Sequence, residues 1–198
     1  MEINWESQVL SSVSKVIPKL SCLEMDIDKL HEVAAELSED SFSINYEGNT
    51  NTVPKEYIRK TMLINTLNFV FTDFLTSVKY KIENYSDTDA MVYQIDKALD
   101  QGIPLTQGRF MRDMNLKEFK TLFTGNIVMP MADEKVKILN NVGDILVTKY
   151  GGDWINFIDD GPKKLYDNGK GLVERLVRDF RRFDDHSIFE NEKVYFLK

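Results

Sequence analysis

Residues 64–71, INTLNFVF, constrain the fold more than any other stretch. Ile58, Met62, Leu63, Leu67, Phe69 and Phe71 continue one helical pattern, which becomes apolar nearly all round in this segment. A helix apolar on every side belongs inside a core, so the spacing predicts a central, buried helix. Asn65 and Asn68 fall within it, and a buried amide needs hydrogen-bond partners. Asn68 satisfies neighbouring backbone or faces the polar edge of a ligand. Phe69 and Phe71 read first as core and second as stacking platforms.

The surrounding sequence supplies the helices to cover it. Val9, Leu10, Val13, Val16 and Ile17 repeat at helical spacing, with Pro18 as a stop. A second helix is expected from Asp26 or Asp28, with Ile27, Leu30, Val33, Ala34 and Leu37 inward. Residues 38–53 read as a loop, with Thr52 as N-cap and Pro54 near the first position of the central helix. Lys81 to Asp89 is polar and reads as a loop. A helix from Ala90 to Gln101 stops at Gly102, with Pro104 beyond. Asn115 and Glu118 have the spacing of a capping box. A longer helix follows Pro130 through Val136, Leu139, Val142 and Leu146 to Gly151-Gly152, and another covers about Gly171 to Phe180. There is no internal repeat, low-complexity tract or glycine-rich linker. The expected fold class is therefore all-α or mainly α, with residues 1–198 as a single helical domain.

Charge narrows the partners. Residues 1–50 hold ten acids against three lysines, which accounts for the whole net charge of −7; the rest of the chain is balanced. Binding to polymeric nucleic acid rests on a basic surplus, so no such partner is expected, whereas a small anionic ligand needs only one or two cations. No apolar stretch approaches the roughly 18 residues of a membrane span. The start of the chain lacks the pattern of a signal peptide, and Cys22 stands alone. A cytoplasmic protein with no membrane contact is expected.

Little in the sequence points to a reaction centre. Cys22, His31 and His186 are the only thiol and imidazoles, and no pair has metal-ligand spacing, so no metal is expected. Asp26 and Asp28 lack the glycine and distal Glu of a calcium loop. G-x-S-x-G and phosphate-loop patterns are absent, and YGGDW lacks phosphate-cradling spacing. Asp159-Asp160 and Asp184-Asp185 read as solvated turns or caps before they read as acid–base pairs. Arg175, Arg178, Arg181 and Arg182 recur at helical spacing. They form a solvated stripe paired with Glu174 and Asp179, or an anion contact.

Four segments together resemble the queuosine-salvage family, the queuosine 5′-phosphate N-glycosylase/hydrolases. TLNFVF (66–71) is similar to the family's T-L-N-F-x-F-W. ALDQGIPLT (98–106) continues the likeness. MPMADEKVKILNNVGDILVTKYGGDWINF (129–157) resembles M-P-x-x-x-E-R…I-L-N…G-x-x-L…K-F-G-G-x-F-x-N, and SIFENEKVYFLK (187–198) resembles L-F-x-G-x-x-V-x-F-Y-K. Each motif is weak alone, while their shared order and spacing is specific. The resemblance implies a compact helical fold like the helical DNA glycosylases, with room for a few short strands. It also implies cleavage of the bond between a 7-deazaguanine base and ribose 5-phosphate, releasing queuine for transfer RNA modification.

No cofactor is implied, and the partner is a mononucleotide, queuosine 5′-phosphate. An aspartate would stabilise an oxocarbenium-like sugar. The resemblance places that aspartate beyond Lys198, so the catalytic residue is unassigned and the family's C-terminal portion, or a partner supplying it, is expected to be separate. The carried-over substrate contacts are Asn68, Phe69 and Phe71 as pocket wall, Tyr46 near a family pocket histidine, and Lys198. Thr72 replaces the family tryptophan. A cleft is expected between the central helix holding Asn68 and the C-terminal segment. The alternative is a non-catalytic nucleotide-binding or helical interaction module of the same descent.

Overall fold

The computed structural model describes residues 8–21, 24, 26–36 and 53–195. Leu37, Cys22, Thr52, Tyr46, Phe196, Leu197 and Lys198 lie outside the described residues. The described residues are mainly α-helical, with two small antiparallel hairpins. In chain order the helices are α1 (Gln8–Val16), α2 (Ile27–Glu36), α3 (Lys55–Leu67), α4 (Asp87–Asp100), α5 (Gly108–Asp113), α6 (Leu116–Leu122), α7 (Ala132–Lys149), α8 (Trp154–Asp159) and α9 (Leu172–Asp179). The first hairpin pairs β1 (Lys81–Ile82) with β2 (Tyr85–Ser86), and the second pairs β3 (His186–Phe189) with β4 (Glu192–Tyr195).

The core is built around α7. Its Val136, Leu139, Val142, Gly143 and Leu146 are buried at the spacing that the sequence shows. The helix ends where Gly151 and Gly152 take φ of +61° and +86°, conformations that glycine reaches without steric cost. α5 lies against α7 at Gly143, where the missing side chain lets the two backbones meet. Asn140 on α7 then donates to the carbonyls of Met111, Arg112 and Met114 at 3.0, 2.8 and 2.9 Å. Those are carbonyls at the end of α5 that the helix itself leaves unpaired. The capping box of α6 is present, with Asn115 Oδ1 accepting from Glu118 N–H at 3.0 Å and Glu118 returning the bond at 3.1 Å. Trp154, Phe157 and Phe180, with Tyr150 and Phe183, form an aromatic cluster that joins α8 to the end of α9.

The structure corrects several expectations. The helix expected to be central and buried stops at Leu67 rather than running to Phe71, and only its Leu63, Thr66 and Leu67 are buried. Asn68 is its C-cap, and Val70 takes a φ of +47°, which no α-helix accommodates. Asn65 is exposed on α3, its amide donating to Thr61 O at 3.0 Å, and so is not a buried amide. Pro54 is the N-cap of α3, directly before its first helical residue Lys55 and so near the expected position. Residues 81–89 are not a plain loop: they form the first hairpin, and α4 begins at Asp87. On α2, Ile27, Leu30 and Val33 are exposed, since helical periodicity marks an apolar face without saying what covers it.

The arginine run does not share one surface. Arg175 is buried, its guanidinium donating to Phe157 O at 2.8 Å and lying 5.0 Å from the Phe157 ring. Arg178 pairs with Asp179 and Arg182 with Glu134. The break at Phe180 followed by a 3₁₀ turn over Arg181–Phe183 removes the common helical face. Glu174 faces inward and accepts from the N–H groups of Asp167, Gly169 and Gly171 at 2.9, 2.9 and 2.7 Å. The C-terminal apolar run is in part β4, whose Val194 is buried. This hairpin packs on α1, and Tyr195 N–H donates to Ser12 Oγ at 3.1 Å. No helix among the described residues is long and apolar enough to cross a membrane.

Candidate functional site

A cleft of about 360 Å³ opens where α3 ends. One side carries Asn65, Thr66, Asn68 and Phe69, and Ile138 of α7 contributes an apolar surface. The other side is the 3₁₀ turn and the start of β3: Arg182, Phe183, Asp184, Asp185 and His186. The cleft exists because α3 stops. Continued helix would carry Asn68 and Phe69 around the α3 axis, whereas the turn sends them toward the C-terminal segment.

Several of the polar groups are held by specific partners. Asn68 Oδ1 accepts from the Thr88 hydroxyl in the first turn of α4 at 2.8 Å, which fixes the amide plane. His186 Nδ1 lies 3.0 Å from the Asp184 carbonyl oxygen and 3.3 Å from its carboxylate Oδ1. Lys193 Nζ reaches the other carboxylate oxygen of Asp184 at 3.3 Å. Arg182 is half exposed and pairs with Glu134 at 3.3 Å. The cleft therefore combines two aromatic rings, two amides, a hydroxyl, a guanidinium, two carboxylates and an imidazole.

Of the residues carried over from the resemblance, Asn68 and Phe69 line this cleft. Phe71 does not: it is partly buried and packs against the core behind the wall. Tyr46 and Lys198 lie outside the described residues. Asp159 is exposed and paired with Lys163, so the pair Asp159-Asp160 sits away from this cleft. His31 is exposed on α2. Among the described residues, no cluster of three or more His, Cys, Asp or Glu side chains could hold a metal ion.

The sequence reading missed Lys135. It is 0% exposed on α7, directly behind Phe69. Its Nζ donates to the carbonyl of Phe69 and, at 3.3 Å, to that of Val70, and stands 3.7 Å from the centroid of the Phe69 ring. Burial pulls its proton affinity down to about 7. The signal was present: Lys135 occupies the buried face of α7 together with Ala132, Val136, Leu139 and Val142.

A larger polar recess of about 520 Å³ lies at Glu56, Arg59, Thr106, Gln107, Arg109 and Gly151–Asp153. It has no aromatic wall, and its least exposed cation is already committed. Arg59 makes a two-pronged contact to Asp153 at 2.9 and 2.6 Å and a further one to Glu56 at 2.6 Å. That pairing pins α3 to the start of α8 and holds the Asp153 carboxyl below its usual range.

Fold and cleft together define a mainly α protein with a recess of small-molecule size at a junction of helices, lined by a few convergent polar groups. The chain belongs to the queuosine salvage family: a family model described as queuosine salvage protein matches residues 44–198. Among curated proteins it is similar to the queuosine 5′-phosphate N-glycosylase/hydrolase of Mus musculus, 29% identical over 142 residues, covering 69% of this chain and 41% of the relative. The Bos taurus protein of the same name is 25% identical over 169 residues, covering 82% and 48%. That of Sphaerobacter thermophilus is 22% identical over 194 residues, covering 96% and 59%. The chain thus spans about half the length of the curated relatives it matches.

Proposed function

We propose that the cleft between Asn68–Phe69 and Arg182–His186 is the base-holding side of an N-glycosidase site that acts on queuosine 5′-phosphate. The observation carrying this is the meeting of two segments, 66–71 and the C-terminal segment from Arg182, inside the span matched by the family model. A 7-deazaguanine offers a flat ring and a polar edge. Phe69 supplies a surface for the ring, while Asn68 and Asn65 supply amides for the edge. Arg182 supplies a cation for a nucleotide phosphate.

In the reaction, the bond from the base nitrogen to C1′ breaks and water forms the new bond to C1′. A proton passes to the departing base, leaving queuine and ribose 5-phosphate. The positive charge that develops on the sugar requires a carboxylate, assigned here to the portion of the family fold that this chain does not span. The protein acts as one helical domain in the cytoplasm, on a mononucleotide rather than on polymeric nucleic acid. The coverage of only about half of each relative favours a second reading, a nucleotide-binding module without turnover.

The test is calorimetric binding of queuosine 5′-phosphate together with chromatographic detection of free queuine. Binding is expected, with Phe69→Ala weakening it at least about tenfold, the equivalent of one lost aromatic contact. Queuine release identifies a complete catalyst, and binding without release identifies the module. Absence of both overturns the proposal.

A further inference from the structure

We propose that Lys135 is the positioning residue of the cleft's aromatic wall, holding Phe69 and the turn at Val70 in the arrangement that presents Asn68 and Phe69 to a ligand. This rests on the cleft as the nucleotide site. Every attraction of the buried ammonium converges on the three residues after Asn68. It donates to the carbonyls of Phe69 and Val70, and stands 3.7 Å from the Phe69 ring centroid and 5.2 Å from that of Phe71. These residues lie 65 and 66 positions away in sequence, so the contact fixes tertiary geometry and not a local turn.

Two independent observations argue for function over packing. First, Lys135 is 0% exposed, yet its partners among the described residues are two carbonyls and two aromatic rings rather than a carboxylate. A buried lysine without a carboxylate partner is unfavourable, and methionine would fill the same channel without that penalty. Second, Val70 is a β-branched residue at φ +47°, in the left-handed region that such residues avoid. Successive carbonyls of an extended chain point to opposite sides; the rotation at Val70 lets both reach one ammonium. A disfavoured charge and a strained backbone residue stabilise each other at the wall of the cleft. Strain of this kind persists only where its surroundings over-determine it.

Lys135→Met and Lys135→Arg test the assignment through hydrogen exchange, thermal unfolding and binding of queuosine 5′-phosphate. The Met variant is expected to melt within a few degrees of the unchanged protein, because removing an unpaired buried charge is often neutral or stabilising. Its amide exchange over residues 68–72 is expected to rise at least about tenfold while α4 and α7 stay protected. Affinity for the nucleotide is expected to fall about tenfold. Lys135→Arg is expected to restore both, since a guanidinium also donates to carbonyls and packs on rings.

Unchanged exchange at 68–72 in the Met variant would overturn the proposal. So would loss of protection throughout the molecule, which would make Lys135 an ordinary core residue. If exchange rises locally but the unchanged protein binds no nucleotide, the ligand reading fails and the positioning role stands.

Discussion

Substituting Gly143 by alanine should loosen the frame on which the cleft is mounted. A Cβ at this position would lie 2.3 Å from Arg112 N, 2.5 Å from Gly108 O and 2.8 Å from Arg112 Cα. All three are backbone atoms of α5, so no side-chain rotation relieves the overlap. Ordinary carbon contacts need about 3.5 Å, so α5 must retreat by roughly 1 Å. That movement also stretches the three bonds from the Asn140 amide, now 2.8 to 3.0 Å, to nearly 4 Å, beyond hydrogen-bonding distance.

Overpacking of this kind costs about 1–3 kcal/mol, and stranding the carbonyls adds about 1–3 kcal/mol. Alanine returns about 1 kcal/mol of helix propensity. The net loss is about 1–5 kcal/mol, centred near 3, or roughly 6–12 °C in Tm at that centre for a chain of this size. Thermal unfolding followed by circular dichroism at 222 nm measures it directly. Gly102→Ala is the control: that glycine has φ +77° but nothing within 4 Å, so only conformational strain of about 1–2 kcal/mol applies. If Gly143→Ala melted at or above the unchanged protein, or fell no further than Gly102→Ala, close backbone approach would not be the role of Gly143.

Two further outcomes follow from the ion pairs and the buried carboxylate. Arg59 holds Asp153 below the usual carboxylate range by hydrogen bonding, and both side chains are mostly buried, at 21% and 30% exposure. A depressed carboxyl stabilises the fold above its unfolded value of about 4, and that contribution is lost as pH falls through the folded value. Asp153→Asn is therefore expected to lower urea stability by about 1–2 kcal/mol at pH 7, a gap that narrows by pH 3. A gap that stayed constant with pH would refute the assignment. Glu174→Gln should cost about 2–3 kcal/mol, because its three backbone donors require an acceptor on both carboxylate oxygens. Faster exchange at Asp167–Gly171 would accompany that loss, and unchanged protection there would count against it.

Much of the fold was legible because it is written locally. The capping box at Asn115–Glu118 and the double glycine after α7 act within one helical turn. So do the stop at Gly102 and the buried periodicity of α7. Asn68 and Phe69 were legible as wall candidates through the likeness of TLNFVF to a family motif. The end of α3 was not, because apolar residues continue past Leu67 at helical spacing and nothing nearby in sequence marks the stop. Exposure on α2 and burial of Arg175 were equally hidden: periodicity identifies a face, and a neighbour far along the chain decides whether it is covered.

The sequence alone determined a mainly α protein of the queuosine salvage family, since helix signals are short-range and the order of motifs survives at low identity. Tertiary structure decided how these elements make a cleft. Lys135 reaches the carbonyls of Phe69 and Val70 across more than sixty residues, and the C-terminal turn brings Asp184 and His186 opposite Asn68. Such meetings depend on how helices pack, and desolvation makes the buried ammonium sensitive to that packing. No window of local sequence contains either partner's position.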